Sequence, residues 1–373
     1  MGNKLSAPAL DNLDAIRKID KSNMLQFCTD AAKHYTGAIK NAEKIKLNYP
    51  IPANIIVSGM GGSGISGELL KDYVRNKATV PVEVNKYYSL PAYANKKTLV
   101  LLVSYSGDTE ETLSAFLEAI NRKCMIYCVS SGGTLLKYAE KLSVPHLQVP
   151  DGMPPRAALP HMIVPLLKCI EKIGWAPKVA ENLSETTKLL EKISRENAPE
   201  KPAKSNFTKT LATNAYGTAP VVYGFGVYRS VAMRWKQQFN ENSKIPAKWE
   251  IFSELNHNEI VGWEKPRQLA KRYTAIFIRD KTEPIGIRSR IENTQTLMQP
   301  TISKMSEVWT QGKCNLAKML STVLVGDFVS VYLALLRKVD PTPVNSISLL
   351  KEKIERNKIK EKTISALEKL AAT

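Results

Sequence analysis

Three times between residues 54 and 141, a short and almost wholly apolar run stops at a cluster of glycine or serine and gives way at once to a helical pattern. Residues 54–58 lead into Gly59-Met60-Gly61-Gly62-Ser63-Gly64 and a helix expected from about residue 65. Residues 99–104 lead into Ser104-Tyr105-Ser106-Gly107-Asp108-Thr109 and a helix over 110–121, and residues 125–130 lead into Gly132-Gly133 and a helix over 134–141. Strand runs without polar alternation are buried on both faces, and strand–turn–helix repetition lays them parallel in one sheet covered by helices. A strand at 144–149 and a helix at 159–173 extend this half.

The same grammar returns after a break. Between 177 and 209 the apolar strands vanish, while Pro199, Pro202 and balanced charges dominate. A strand at 221–225, a turn at 224–226, a helix from 229 to about 240, strands at 273–278 and 306–310, and a long helix over 316–337 follow. The expected class is α/β with two doubly wound parallel-sheet domains in tandem. The expected limits are 1–176 for the first domain, 177–209 for a helical, charged linker, 210–345 for the second domain and 346–373 for a helical tail. That tail is rich in Lys and Glu and keeps Ile354, Ile364, Leu367 and Leu370 for one face, which reads as a solvated helix packed along one edge.

Composition narrows the function classes. The chain has 373 residues, 43% of them hydrophobic, enough for two ordinary cores. With 53 basic and 35 acidic residues its formal charge is +18, which favours anionic partners. No helix-turn-helix, zinc-finger or aromatic-interleaved basic pattern accompanies that charge, so no nucleic-acid partner is expected and a phosphorylated metabolite fits better. The five cysteines are odd in number and scattered, as in a reducing cytoplasm, and Cys124 and Cys128 lie four strand residues apart, roughly 13 Å, too far to share a metal. Met-Gly-Asn-Lys-Leu-Ser at the N-terminus is no signal peptide, although Gly2 and Ser6 meet the loose myristoylation pattern. The longest apolar stretch, 319–336, carries Asp327 and Ser330 in its middle, so it reads as a buried helix and no membrane span is expected.

The turns carry the chemistry. Glycines at the start of a helix let backbone amides approach an anion, and hydroxyls beside such a helix start make a cradle for a phosphate monoester. Gly59, Gly61 and Gly64 also meet the dinucleotide fingerprint, with Glu83 near the position of its ribose-binding acid. The second turn, with Ser104, Ser106 and Thr109, counts against a dinucleotide, which needs no second cradle; helix capping by Ser106 or Thr109 is the structural alternative. Arg156 follows two prolines after the last strand of the first half, where an oxyanion can be stabilised or a salt bridge made. Asn240-Glu241-Asn242 offers a carboxylate oriented by amides, as a proton-shuttling base requires, and Asn256-His257-Asn258 a similarly flanked imidazole.

Taken in order, Gly59-Met60-Gly61-Gly62-Ser63, Ser104-Tyr105-Ser106-Gly107-Asp108-Thr109, Pro155-Arg156, Asn240-Glu241-Asn242, Glu254-Leu255-Asn256-His257-Asn258-Glu259, and Asp340-Pro341-Thr342-Pro343 with Leu350-Lys351 closely resemble the motifs of the bifunctional phosphoglucose/phosphomannose isomerases. The resemblance spans about residues 50 to 352 and implies tandem, flavodoxin-like sugar-isomerase (SIS) domains. It implies that Ser63, Ser104, Ser106 and Thr109, with the amides of Gly61 and Gly62, bind the sugar phosphate. It also implies Glu241 as the base between C1 and C2, His257 and Lys351 in ring opening, Arg156 beside the enediolate, and Thr342 as the residue that admits both epimers. No metal and no cofactor are implied, and the partner is a second copy that contributes His257 across a homodimer interface. Gly64 and Ser66, the charged linker and the tail of roughly twenty residues depart from the family pattern. Two other readings are open: a sugar-phosphate-binding regulator without catalysis, and an NAD-dependent dehydrogenase.

Overall fold

The structure is a computed structural model that describes residues 10–176, 179–265 and 267–372; Gly2 and Ser6 lie outside them. Among the described residues, nine strands fall into two parallel sheets. The first contains β1 (Asn54–Ser58), β2 (Val82–Asn85), β3 (Thr98–Val103), β4 (Met125–Ser130) and β5 (His146–Gln148), in the order β2-β1-β3-β4-β5. The second contains β6 (Ala219–Phe225), β7 (Lys248–Phe252), β8 (Tyr273–Arg279) and β9 (Lys304–Trp309), in the order β7-β6-β8-β9. In both, the first strand sits inside the sheet with its successor on one side and the third strand on the other. Strand order therefore reverses at β1/β3 and again at β6/β8, the switch points outside which a parallel sheet opens a crevice.

Each sheet belongs to its own compact unit, and the units interleave along the chain. One is built from residues up to Ala32 and from Asn182–Pro343, the other from Lys33–Glu181 and Val344–Thr373. The reason is local packing at both ends of the chain. The helix Met24–Thr29 packs on Asn315–Leu336, and the last helix, Ile359–Ala372, packs on Glu110–Asn121 and Gly133–Lys141. Leu367 is fully buried among Leu113, Phe116, Leu135 and Tyr138, with Ile364 and Ala371 beside it, so the last helix buries one edge, whereas Ile354 of the expected face lies on a separate helix, Asn345–Ile354, that buries no residue.

Two local differences from the sequence reading have physical causes. The first glycine turn is already helical: Gly61–Val74 begins at Gly61, where a φ of +49° explains why a helix start was not legible before residue 65. Strands β2 and β7 show no apolar run because they are edge strands with charged residues (Glu83, Lys248, Glu250) in its place. Within segment 177–209, the helix expected there is Val179–Asn197. Helix Asn315–Leu336 is long and apolar enough to cross a membrane, yet 94% of its apolar window is buried in the protein.

Replacing Leu367 with Ala removes a fully buried side chain from the first sheet's core. We expect a loss of about 2–4 kcal/mol, read as a lower denaturant midpoint for the unit that carries β1–β5; an unchanged midpoint would contradict the docking of the last helix.

Candidate active site

The carboxyl end of the first sheet is assembled from three turns that touch backbone to backbone. Gly107 has a φ of +73°, and a Cβ placed on it would stand 1.9 Å from the carbonyl oxygen of Gly132. A Cβ on Gly62 would stand 2.8 Å from the carbonyl oxygen of Pro155 and 3.1 Å from the Cα of Arg156. Only glycine permits either approach, so these residues bring the turn after β3 against the turn after β4, and the turn after β1 against the Pro155-Arg156 loop.

Side chains lock the same contacts. The Tyr105 amide donates to Ser63 Oγ at 3.1 Å, which joins the two turns expected to hold a phosphate. Ser104 Oγ lies 3.0 Å from Thr109 Oγ1 and accepts from the Gly107 amide at 3.1 Å. Thr109 occupies the N-cap of Glu110–Asn121 without a capping bond from its side chain, so helix capping does not account for it. Ser106 is exposed, and its hydroxyl accepts from the Asp108 amide at 3.3 Å. Gly61 and Gly62 are the first two residues of their helix, positions whose amides have no acceptor within the helix. Arg156 is buried directly beside Gly62. Ser63, Ser104, Ser106, Thr109, Gly61, Gly62 and Arg156 therefore come together in one unit, at the switch point between β1 and β3.

Tyr105 is a residue whose role the sequence did not disclose. Its hydroxyl donates to the Pro150 carbonyl at 3.0 Å and accepts from the Met153 amide at 3.0 Å, pinning the loop that runs on to Arg156. Burial and the neighbouring Asp151 raise its pKa, with the Met153 amide opposing, so the phenol stays protonated and keeps its donor. Asp108 is held by Thr134 Oγ1 at 2.7 Å and by Lys360 at 3.0 Å. Burial alone would raise its pKa, but the Thr134 hydroxyl and the Lys360 ammonium outweigh it and keep the carboxyl below its usual value.

Glu241 and Thr342 lie in the other unit and are linked by one side chain. Glu241 is the last residue of helix Arg229–Glu241, and the Lys244 ammonium hydrogen-bonds both the Glu241 carbonyl and, at 2.9 Å, the Pro341 carbonyl. The flanking asparagines hold the backbone around the carboxylate. Asn240 Oδ1 accepts from the Ala247 amide at 3.1 Å, and Asn242 Nδ2 donates to Ser330 Oγ at 2.9 Å. Further back, Trp235 Nε1 donates to the Thr322 carbonyl at 2.9 Å and Arg234 pairs with Asp327 at 3.3 Å. Asp327 and Ser330, the polar interruptions in the long apolar helix, are thus the partners that fix the Glu241 helix.

His257 is exposed at the end of the short 3₁₀ helix Glu254–His257. Its flanking asparagines anchor the loop, Asn256 to Thr294 Oγ1 at 2.8 Å and Asn258 to Glu254 at 2.6 Å. Of the other histidines, His161 is buried edge-on to His34 at 5.9 Å, and burial followed by the His34 charge pushes its pKa down to about 4. Lys351 is exposed on Asn345–Ile354, a helix with no buried residue.

The switch point of the second sheet is filled differently. Tyr228 hydrogen-bonds Asp280, and Lys318 reaches Asp280 at 2.9 Å and Thr282 at 3.1 Å. Burial would raise the Asp280 pKa, but the Tyr228 hydroxyl, the Thr282 amide and Lys318 bring it to about 2. A carboxylate paired with Lys318 stands there, without the serine-rich turn of the first sheet.

Residues 204–354 match the family model of the bacterial phospho-glucose isomerase C-terminal SIS domain. The chain is 40% identical over 301 residues to a bifunctional phosphoglucose/phosphomannose isomerase of Caldicellulosiruptor bescii, covering 80% of this chain and 89% of that one. It is 36% identical over 304 residues to the enzyme of the same name from Thermoplasma acidophilum, covering 81% and 90%. The chain belongs to the bifunctional phosphoglucose/phosphomannose isomerase family. It is an isomerase, and its two parallel sheets are the SIS architecture of that family. The fold is also that of a glucose-6-phosphate isomerase like protein from Thermus thermophilus, with a TM-score of 0.63 at 16% identity over 90% of this chain and 98% of that one.

Tyr105→Phe removes two hydrogen bonds from the loop before Arg156. We expect about 1–3 kcal/mol lower stability together with weaker turnover, measured by thermal unfolding and steady-state kinetics; a variant indistinguishable from the parent in both would contradict the pinning role.

Proposed function

We propose that the protein interconverts glucose 6-phosphate, and mannose 6-phosphate, with fructose 6-phosphate by moving one proton between C1 and C2. The observation that carries the reading is the pair of interlocked turns at β1/β3, which presents hydroxyls and helix-start amides to a phosphate, in a chain whose relatives bear both isomerase names. In this reading Ser63, Ser104, Ser106 and Thr109 and the amides of Gly61 and Gly62 hold the phosphate. A phosphate handle of this kind orients a bound sugar, and such positioning makes removal of a weakly acidic C–H proton an effectively unimolecular step.

Glu241 takes the proton from C1 or C2 and returns it to the other carbon, while Arg156 stabilises the enediolate oxygen that forms between the two transfers. His257 and Lys351 open and close the sugar ring. Thr342, tied near Glu241 through the Lys244 bridge, admits both epimers at C2. The exposed position of His257 fits its delivery to the site of a partner subunit in a homodimer. A cytoplasmic enzyme fits the five cysteines, none of which is in a disulfide.

Neither alternative has a comparable observation behind it. A regulator without catalysis leaves the carboxylate of Glu241 unused, and a dehydrogenase leaves the second cradle unused. We expect Glu241→Gln to lower kcat for fructose 6-phosphate isomerisation by a factor on the order of 10²–10⁴ in a coupled assay, with sugar-phosphate binding retained. An active Glu241→Gln enzyme would remove Glu241 from the mechanism.

A further inference from the structure

Helix Ile359–Ala372 lies past the segment that matches the family model, yet it is built into the core of the unit that carries the phosphate turns. Its apolar edge, Ile364, Leu367 and Ala371, sits against the helices that follow β3 and β4. Its first turn points Lys360 at Asp108, 3.0 Å away. Asp108 is part of the serine turn itself: its amide donates to Ser106 Oγ, and its carboxylate holds Thr134 at the start of the next helix. A carboxylate in this position is useful and harmful at once. It ties the turn after β3 to the turn after β4, but it places a negative charge in the loop that must receive a dianionic phosphate.

We propose that the C-terminal helix is a clasp on the phosphate site, with Lys360 as a positioning residue that neutralises Asp108 and holds the turn Ser104–Thr109 in its receptive form. The proposal rests on the reading of that turn as the phosphate site. Leu367 seats the helix; Lys360 then supplies the counter-charge that lets Asp108 keep its structural bond to Thr134 without repelling the substrate. The helix that carries Lys351, Asn345–Ile354, buries no residue of its own, so the docked helix is also the anchor that follows it in the chain.

The test compares the full chain with Lys360→Ala, Lys360→Arg and the double variant Lys360→Ala/Asp108→Asn. Two quantities are read: KM and kcat for fructose 6-phosphate, and the dissociation constant of inorganic phosphate by calorimetry. Lys360→Ala should raise KM and the phosphate dissociation constant by about three- to fivefold, the range of a half-exposed ion pair, with kcat nearly unchanged. Lys360→Arg should restore both, and the double variant should return close to the parent because no uncompensated carboxylate remains. Unchanged phosphate affinity in Lys360→Ala would overturn the proposal, as would a double variant no better than Lys360→Ala, which marks a merely structural pair. A parent chain that fails to isomerise overturns the isomerase reading instead, and phosphate affinity across the same variants still decides the clasp.

Discussion

A phosphate cradle at the end of a parallel sheet depends on backbones coming closer to one another than any side chain allows. Here the decisive approaches are Gly107 on Gly132 and Gly62 on Pro155, where even a methyl group would collide with a carbonyl oxygen. Everything at that end of the first sheet follows from them. The turn after β3 can reach Ser63 only because it is drawn against the turn after β4, and Arg156 lies beside the helix-start amides only because Gly62 lets its loop in. Replacing either glycine separates the groups that the proposed phosphate site needs side by side.

The second unit solves a different problem with the same architecture. Its switch point holds the Tyr228–Asp280–Lys318 cluster, and Glu241 stands at the end of a helix of its own unit. That end is immobilised from behind, by a buried tryptophan, an Arg–Asp pair and the Asn242–Ser330 bond, and in front by Lys244. Buried polar groups in an apolar helix carry a desolvation cost, and here Asp327 and Ser330 are matched by Arg234 on the Glu241 helix and Asn242 just after it, so the cost fixes a position. The same architecture thus carries different polar groups in the two units, serine turns at the end of one sheet and a held helix end in the other unit.

Much of this was legible in the sequence. Strands β1, β3, β4, β6 and β8 announce themselves as apolar or β-branched runs, and the glycine and serine turns mark where the carboxyl ends of β1, β3 and β4 lie. Strands β2 and β7 do not, because an edge strand is partly solvated and carries charge where an inner strand carries apolar residues. The interleaving of the units was also hidden, since it depends on which helix the segments Met24–Thr29 and Ile359–Ala372 choose to cover, a long-range choice that periodicity does not encode. Within the site, Ser63, Ser104 and Thr109 stood out by type and spacing. The roles of Tyr105 and Lys360 did not, because a tyrosine that pins a loop and a lysine that neutralises an aspartate are distinguished from ordinary residues only by what they face.

The central claim is that this chain moves a proton between C1 and C2 of a phosphorylated hexose. Incubation of the purified protein with fructose 6-phosphate in deuterium oxide, followed by nuclear magnetic resonance without added nicotinamide, tests it most directly. The account predicts glucose 6-phosphate and mannose 6-phosphate, with solvent deuterium entering at C2. No conversion, or conversion only when a nicotinamide is supplied, would contradict it.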